Sequence, residues 1–158
     1  MLNDVDKQLV YIGADHAGFS VKAELRKYLV DSGYEVTDLG CFSEDSVDYP
    51  DVAREVGEKV LETPKSLGVL LCGTGIGMSM AANKLKGIRA ALCADESAAE
   101  MARRHNDANV VAIGARTTSI DLAKKILETF LNTKFEGAQA DGERHLRRVV
   151  KMNEMGGK

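Results

Sequence analysis

Five short apolar runs alternate with helix-length stretches along this 158-residue chain, and that alternation narrows the fold to a parallel sheet with helices on both faces. Leu9–Gly13, Tyr34–Asp38, Leu67–Leu71, Ile88–Leu92 and Val110–Ile113 read as strands. Helices are expected over Phe19–Asp31, from Pro50 to about Leu61, from about Glu96 to His105, and from about Ile120 to Leu131. Ser32-Gly33 stops the first of these, and Pro50 suits the first turn of the second. A last helix, Arg144–Met152, is basic on most sides. The chain length suits one domain spanning 1–158, with 1–8 as an extension and 143–158 as a C-terminal helix and tail.

Composition excludes more than it proposes. The net charge of −3 gives no global attraction for nucleic acid. No apolar run approaches the ~20 residues of a membrane span. The opening MLNDVDKQ lacks the basic and apolar regions of a signal peptide. Cys41, Cys72 and Cys93 are odd in number and show no CxxC spacing, which argues against a disulfide framework and a zinc site. A reducing, cytoplasmic location is expected.

The third apolar run carries the chemistry. In Leu67–Lys84, LGVLLCGTGIGMSMAANK, a strand ends at Cys72, three glycines follow in five residues, and a small-residue helix starts near Ile76. A thiol beside free backbone N–H groups at a helix start binds anions and favours a thiolate. A cysteine on an apolar strand is by itself usually an inert packing residue. Packing, however, does not call for an anion-binding loop next door. Gly73, Gly75 and Gly77 are spaced GxGxG rather than GxGxxG, although Asp95, about twenty residues on, keeps a nucleotide site in view. A P-loop would need Gly-Lys-Ser/Thr, and a cysteine phosphatase an arginine where Met78 stands. A thiolate base beside an oxyanion cradle suits proton abstraction next to a carbonyl.

Ligands of open parallel sheets bind at the carboxyl ends of strands. Asp15-His16 follows the first strand, although Asp15 could equally cap a helix entry. His105-Asn106-Asp107 precedes the fifth strand, and the fold must bring it near Cys72.

Asp15-His16-Ala17-Gly18, Asp48-Tyr49-Pro50, Cys72–Gly77, Ala81–Lys84 with Gly87-Ile88-Arg89, and Arg104–Val110 occur in that order. Together they make the stretch from Leu9 to Val149 resemble the ribose-5-phosphate isomerase B family, which also holds bacterial galactose-6-phosphate isomerase subunits. The resemblance implies a Rossmann-like three-layer sandwich with a five-stranded parallel sheet. It implies a homodimer or dimer of dimers with shared active sites, a sugar phosphate as ligand, and no metal or organic cofactor. The implied reaction is aldose–ketose isomerisation between ribose 5-phosphate and ribulose 5-phosphate.

By the same resemblance Cys72 is the base between C1 and C2, and Gly73, Thr74, Gly75, Ile76 and Gly77 form the loop that steadies the enediolate. His105 helps to open the furanose ring and Asn106 contacts substrate. Asp15 and His16 are sugar- and phosphate-end ligands, and Tyr49 is a pocket-wall residue. Arg144 and Arg148 hold the phosphate, and their i, i+4 spacing puts both guanidiniums on one helix face. Without the resemblance, Arg144, Arg147, Arg148 and Lys151 would read as a solvated face. The same chemistry on a hexose or tetrose phosphate is the near alternative, and the intact His105-Asn106-Asp107 favours the pentose. A non-catalytic nucleotide-binding protein is the alternative from another class. Two departures stand out: Cys41 replaces the family's usual threonine, and Ala138–Glu143 separates Glu136-Gly137 from Arg144-His145. That insertion precedes the helix carrying both arginines and could shift it.

Overall fold

The computed structural model describes residues 8–156. Its strands are β1 (Leu9–Ala14), β2 (Glu35–Asp38), β3 (Leu67–Cys72), β4 (Ala90–Leu92) and β5 (Val110–Gly114). Its helices are α1 (Phe19–Asp31), α2 (Tyr49–Glu62), α3 (Ile76–Ala82), α4 (Glu96–Asn106), α5 (Ile120–Asn132) and α6 (Glu143–Glu154), with 3₁₀ turns at His16–Gly18 and Glu136–Ala138. All pairings are parallel, in the order β2-β1-β3-β5-β4. The α/β sandwich expected from the alternation is present.

Strand periodicity divides the core in two. Val10, Ile12, Val69, Leu71, Val111 and Ile113 point to the face covered by α1, α4 and α5. Tyr11, Leu70, Cys72, Val110 and Ala112 point to the face covered by α2 and α3. Ile126, Leu127 and Phe130 of α5 are fully buried, each contributing roughly 1.5–3 kcal/mol of transfer free energy. Cys72 therefore ends a strand on the α2/α3 face, directly under the glycine loop. Among the described residues no helix is long and apolar enough to cross a membrane.

Element boundaries differ from expectation where side chains compete for the backbone. β4 begins at Ala90 because Asn109 takes Arg89: its Oδ1 accepts from the Arg89 N–H at 2.8 Å, and its own N–H donates to the Arg89 carbonyl. Ile88 turns into the α2/α3 core instead. β2 begins at Glu35 because the Tyr34 N–H still closes α1, donating to the Leu29 carbonyl.

Candidate active site

The carboxyl edge of the sheet gathers the residues that follow β1 and β3. The Asp15 N–H donates to the Leu71 carbonyl, so Asp15 lies beside the end of β3. Its carboxylate caps the 3₁₀ turn, accepting from Ala17 N at 3.0 Å and Gly18 N at 3.2 Å, and the side chain is buried. His16 accepts from the Val47 N–H on Nδ1 at 3.3 Å, which makes Nε2 the proton-bearing nitrogen of the neutral ring. Tyr49 begins α2, and its ring packs over Gly77: a Cβ there would lie 2.7 Å from the Tyr49 Cζ.

Cys72 is 5% exposed, and its Sγ accepts from the Gly75 N–H at 3.1 Å. That hydrogen bond fixes the sulfur inside the turn made by Gly73-Thr74-Gly75. Gly75 adopts φ +77°, a left-handed conformation that glycine takes at little cost. A Cβ there would lie 2.7 Å from the Leu92 Cδ1, so the site is closed to side chains on two counts. Thr74 is exposed, and its hydroxyl accepts from the Ile76 N–H at 3.3 Å. Ile76, half exposed, opens α3.

Cys41 reaches the same edge. Its N–H donates to the Ala14 carbonyl at 2.7 Å, and buried Lys22 donates to its carbonyl and, at 2.7 Å, to Asp38 Oδ1. Arg116 is a neighbour that sequence reading passed over. Its N–H donates to the Gly73 carbonyl at 2.9 Å, and its Nη1 lies 3.5 Å from where a Gly73 Cβ would stand. Its guanidinium is exposed beside the loop, without an ion-pair partner among the described residues. The rule that selected Asp15 and Cys72, polar groups just past a strand's carboxyl end, also selects Arg116 after β5.

His105 and Asn106 are elsewhere, which corrects their grouping with the carboxyl-end residues. In a parallel sheet each returning helix ends at the amino edge. α4 accordingly delivers His105-Asn106-Asp107 beside the start of β5. At about 3.3 Å per residue, the length of β5 keeps them well over 10 Å from Cys72 within one chain. Asp107 is structural, pairing with Arg89 and Arg103 at 3.3 Å each. Asn106 is exposed at the mouth of a cavity of about 490 Å³ that opens between the α3–β4 turn and the end of α6.

α6 lies against this second cluster. His145 stacks on His105 with centroids 4.3 Å apart and planes within 6°. Arg144 and Arg148 are exposed on the same helix, and the Arg144 Nη1 donates to the Asp141 carbonyl at 3.2 Å. Glu136 sits beneath both imidazoles, with Arg104 on its Oε1 at 2.5 Å. The bond from Arg104 is the main cause holding its carboxyl below the usual range. Burial is the largest effect lowering the His145 pKa, joined by Arg144 and His105. No clustered ligand set is visible in the sequence, yet the fold brings one atom each of His105, Glu136 and His145 within 4.8 Å of one another.

The candidate residues thus fall into two candidate half-sites on opposite edges: Asp15, His16, Tyr49, Cys72–Gly77 and Arg116 on one, His105, Asn106, Arg144 and Arg148 on the other.

Comparisons with known proteins agree over nearly the whole chain. Residues 10–152 match the Ribose/Galactose Isomerase family. The chain is 44% identical over 140 residues to ribose-5-phosphate isomerase B of Escherichia coli K12, covering 89% of this chain and 91% of that one. The ribose 5-phosphate isomerase of Thermotoga maritima superposes with a TM-score of 0.88 at 45% identity, covering 94% of this chain and 99% of the other. Ribose-5-phosphate isomerase B of Clostridium thermocellum gives 0.88 at 44% identity, covering 94% and 97%. On sequence and fold alike, the chain belongs to the ribose/galactose isomerase family.

Proposed function

We propose that this chain interconverts ribose 5-phosphate and ribulose 5-phosphate by acid–base chemistry alone, in sites that two copies build together. The observation that carries the reading is Cys72, its sulfur held by the Gly75 N–H at the floor of a loop whose Thr74 is exposed. The Cys72 thiolate takes the proton from C2 of the open-chain aldose. The C–H electron pair becomes the C1=C2 bond, and the carbonyl pair moves to O1. The first-turn N–H groups of α3 and the Thr74 hydroxyl hold that oxyanion. Cys72 returns the proton to C1 while the O2 proton passes to O1, and the ketose results.

The aldose arrives as a closed furanose, and His105 of the second copy opens it. Asn106, Arg144 and Arg148 of that copy face the same ligand. The phosphate dianion meets those arginines, with Arg116 and His16 supplying further donors from the carboxyl edge. Ile76, Met80 and Leu92 are 50, 64 and 43% exposed beside the loop, an apolar surface suited to a second copy. That arrangement resolves the split between the two half-sites.

A panel of ribose 5-phosphate, ribulose 5-phosphate, allose 6-phosphate, galactose 6-phosphate and erythrose 4-phosphate, with and without EDTA, tests the reading. Fastest turnover of the pentoses, unchanged by EDTA, is expected. Preference for a hexose phosphate, or activity that needs a divalent ion, overturns it.

A further inference from the structure

Residues 105, 136 and 145 are far apart in sequence, yet they meet as a layered cluster at the amino edge. The two imidazoles are parallel, and both Nε2 atoms face one oxygen, Glu136 Oε2, at 3.7 Å from His105 and 3.9 Å from His145. The other carboxylate oxygen is held by Arg104, which Glu100 steadies in turn at 2.9 Å. Glu136 is therefore a fixed carboxylate. His105 is 36% exposed, while the His145 side chain is 6% exposed and its Nε2 is buried without a hydrogen-bond partner among the described residues.

Two histidines and a glutamate are a familiar zinc set, but this geometry opposes an ion. Imidazole binds a metal in its ring plane, along the nitrogen lone pair. Planes within 6° and centroids 4.3 Å apart keep the two lone pairs in separate, nearly parallel ring planes. No single point lies in both. Arg104 also already answers the Glu136 charge. What the cluster does hold firmly is the orientation of the one exposed ring.

We propose that Glu136 and His145 are positioning residues for His105: the carboxylate draws the proton of the neutral ring to Nε2, and the buried imidazole is the platform that sets the ring plane. Nδ1 is then the nitrogen left to exchange a proton with the sugar. This rests on the reading of His105 as the ring-opening group. In that step the protonated ring donates from Nδ1 to the furanose oxygen as the C1–O bond breaks toward that oxygen. The O1–H pair becomes the C1=O bond, its proton goes to water, and water later reprotonates Nδ1.

Nitrogen-15 NMR of histidine-labelled protein reads the tautomer directly, without turnover. Pre-steady-state rates with ribose 5-phosphate read ring opening. The wild-type chain is expected to hold neutral His105 as the Nε2–H form. Glu136→Gln should mix the tautomers and slow ring opening about tenfold with little change in KM, against the 10²–10⁴ that loss of a general acid costs. Glu136→Asp should restore much of both. His145→Phe should keep the stack and the rate, whereas His145→Ala should lose several-fold. Wild-type tautomer and rate in Glu136→Gln, or a wild-type ring-opening rate in His145→Ala should the first not fold, overturn the proposal. His105→Ala separates the two levels: normal ring opening there sinks the role of His105 itself. Slowed opening there beside unaffected Glu136 and His145 variants sinks only the positioning.

Discussion

Gly142 rests against Gly137: a Cβ on Gly142 would lie 2.9 Å from the Gly137 Cα and collide with the Glu136 carbonyl. The chain leaves at Gly137, turns through Ala138–Asp141 and returns to the same point. The Gln139 N–H donates to the Glu136 carbonyl and the Gly142 N–H to the Gln139 carbonyl. The inserted residues thus loop outward, and α6 starts against Glu136-Gly137, in stacking contact with His105.

Gly142→Ala should consequently destabilise the fold, because backbone rather than a flexible side chain occupies the Cβ position. A loss of about 1–3 kcal/mol is expected from such overpacking. Urea denaturation checks it, and a variant as stable as wild type would mean that the loop yields.

Cys72→Ala should abolish exchange of the C2 proton with solvent while sugar-phosphate binding persists. Proton NMR in deuterium oxide measures the exchange. Cys93 supplies a contrast, since burial raises its pKa to about 11. Alkylation at pH 8 should leave Cys93 unlabelled, and loss of activity should track Cys72 instead. Near-normal exchange in the alanine variant would move the base elsewhere, with Cys41 and Asp15 the next candidates.

Arg148→Ala and Arg116→Ala should each raise KM for a phosphorylated sugar on the order of 10- to 100-fold, the loss of one charge-assisted contact worth roughly 1.5–3 kcal/mol. Arg144→Ala should behave like Arg148→Ala. Arg147→Ala, turned about 100° from Arg148 on the helix, should be milder. Steady-state kinetics with ribose 5-phosphate decide. Unchanged KM in both Arg144→Ala and Arg148→Ala would leave the phosphate to Arg116, His16 and the glycine loop.

Mixing Cys72→Ala chains with His105→Ala chains should restore activity that neither has alone. Random pairing makes about half of the dimers mixed, each with one intact site of two, so about a quarter of wild-type activity is expected. No recovery after unfolding and refolding the mixture together would overturn the shared site.

Acid should weaken the fold in the window set by His145. Burial lowers its pKa below the ordinary 6.5, so on acidification the unfolded chain takes up a proton here before the folded chain does. Stability therefore rises with pH up to about 6.5 and then levels off as far as this residue is concerned. Glu136 acts at lower pH: its Arg104-bonded carboxylate stabilises above the ordinary 4.5 and loses that effect as it protonates. His145→Phe should flatten the upper window in thermal melts taken from pH 5 to pH 8.

What could be read in advance followed from local chemistry. The alternation of short runs with helices located all five strands: β1, β3 and β5 are apolar throughout because they are buried on both faces, whereas β2 and β4 are part-exposed edge strands marked by their place in the alternation. The Cys72 loop was legible because its parts are adjacent. The edge on which His105 sits was also open to inference, since a helix between parallel strands runs back to the amino edge, yet polar triplets near strands invite grouping by sequence proximity. Glu136 and His145 had no such signal. They meet His105 across thirty-one and forty residues, through a turn whose closure depends on two glycines touching. Arg89 shortened β4 through Asn109, a long-range bond that no periodicity encodes.

The placement of Cys72 and His105 at opposite ends of the strands also has a consequence in time. On the proposed reading, a freshly folded chain holds every element of the sheet and yet no finished reaction centre. After dilution from denaturant, secondary structure should return at a rate independent of protein concentration. Activity should lag behind it, with a delay that shortens as the chains are made more concentrated. Catalysis would then begin at an encounter between two folded molecules rather than at the end of folding.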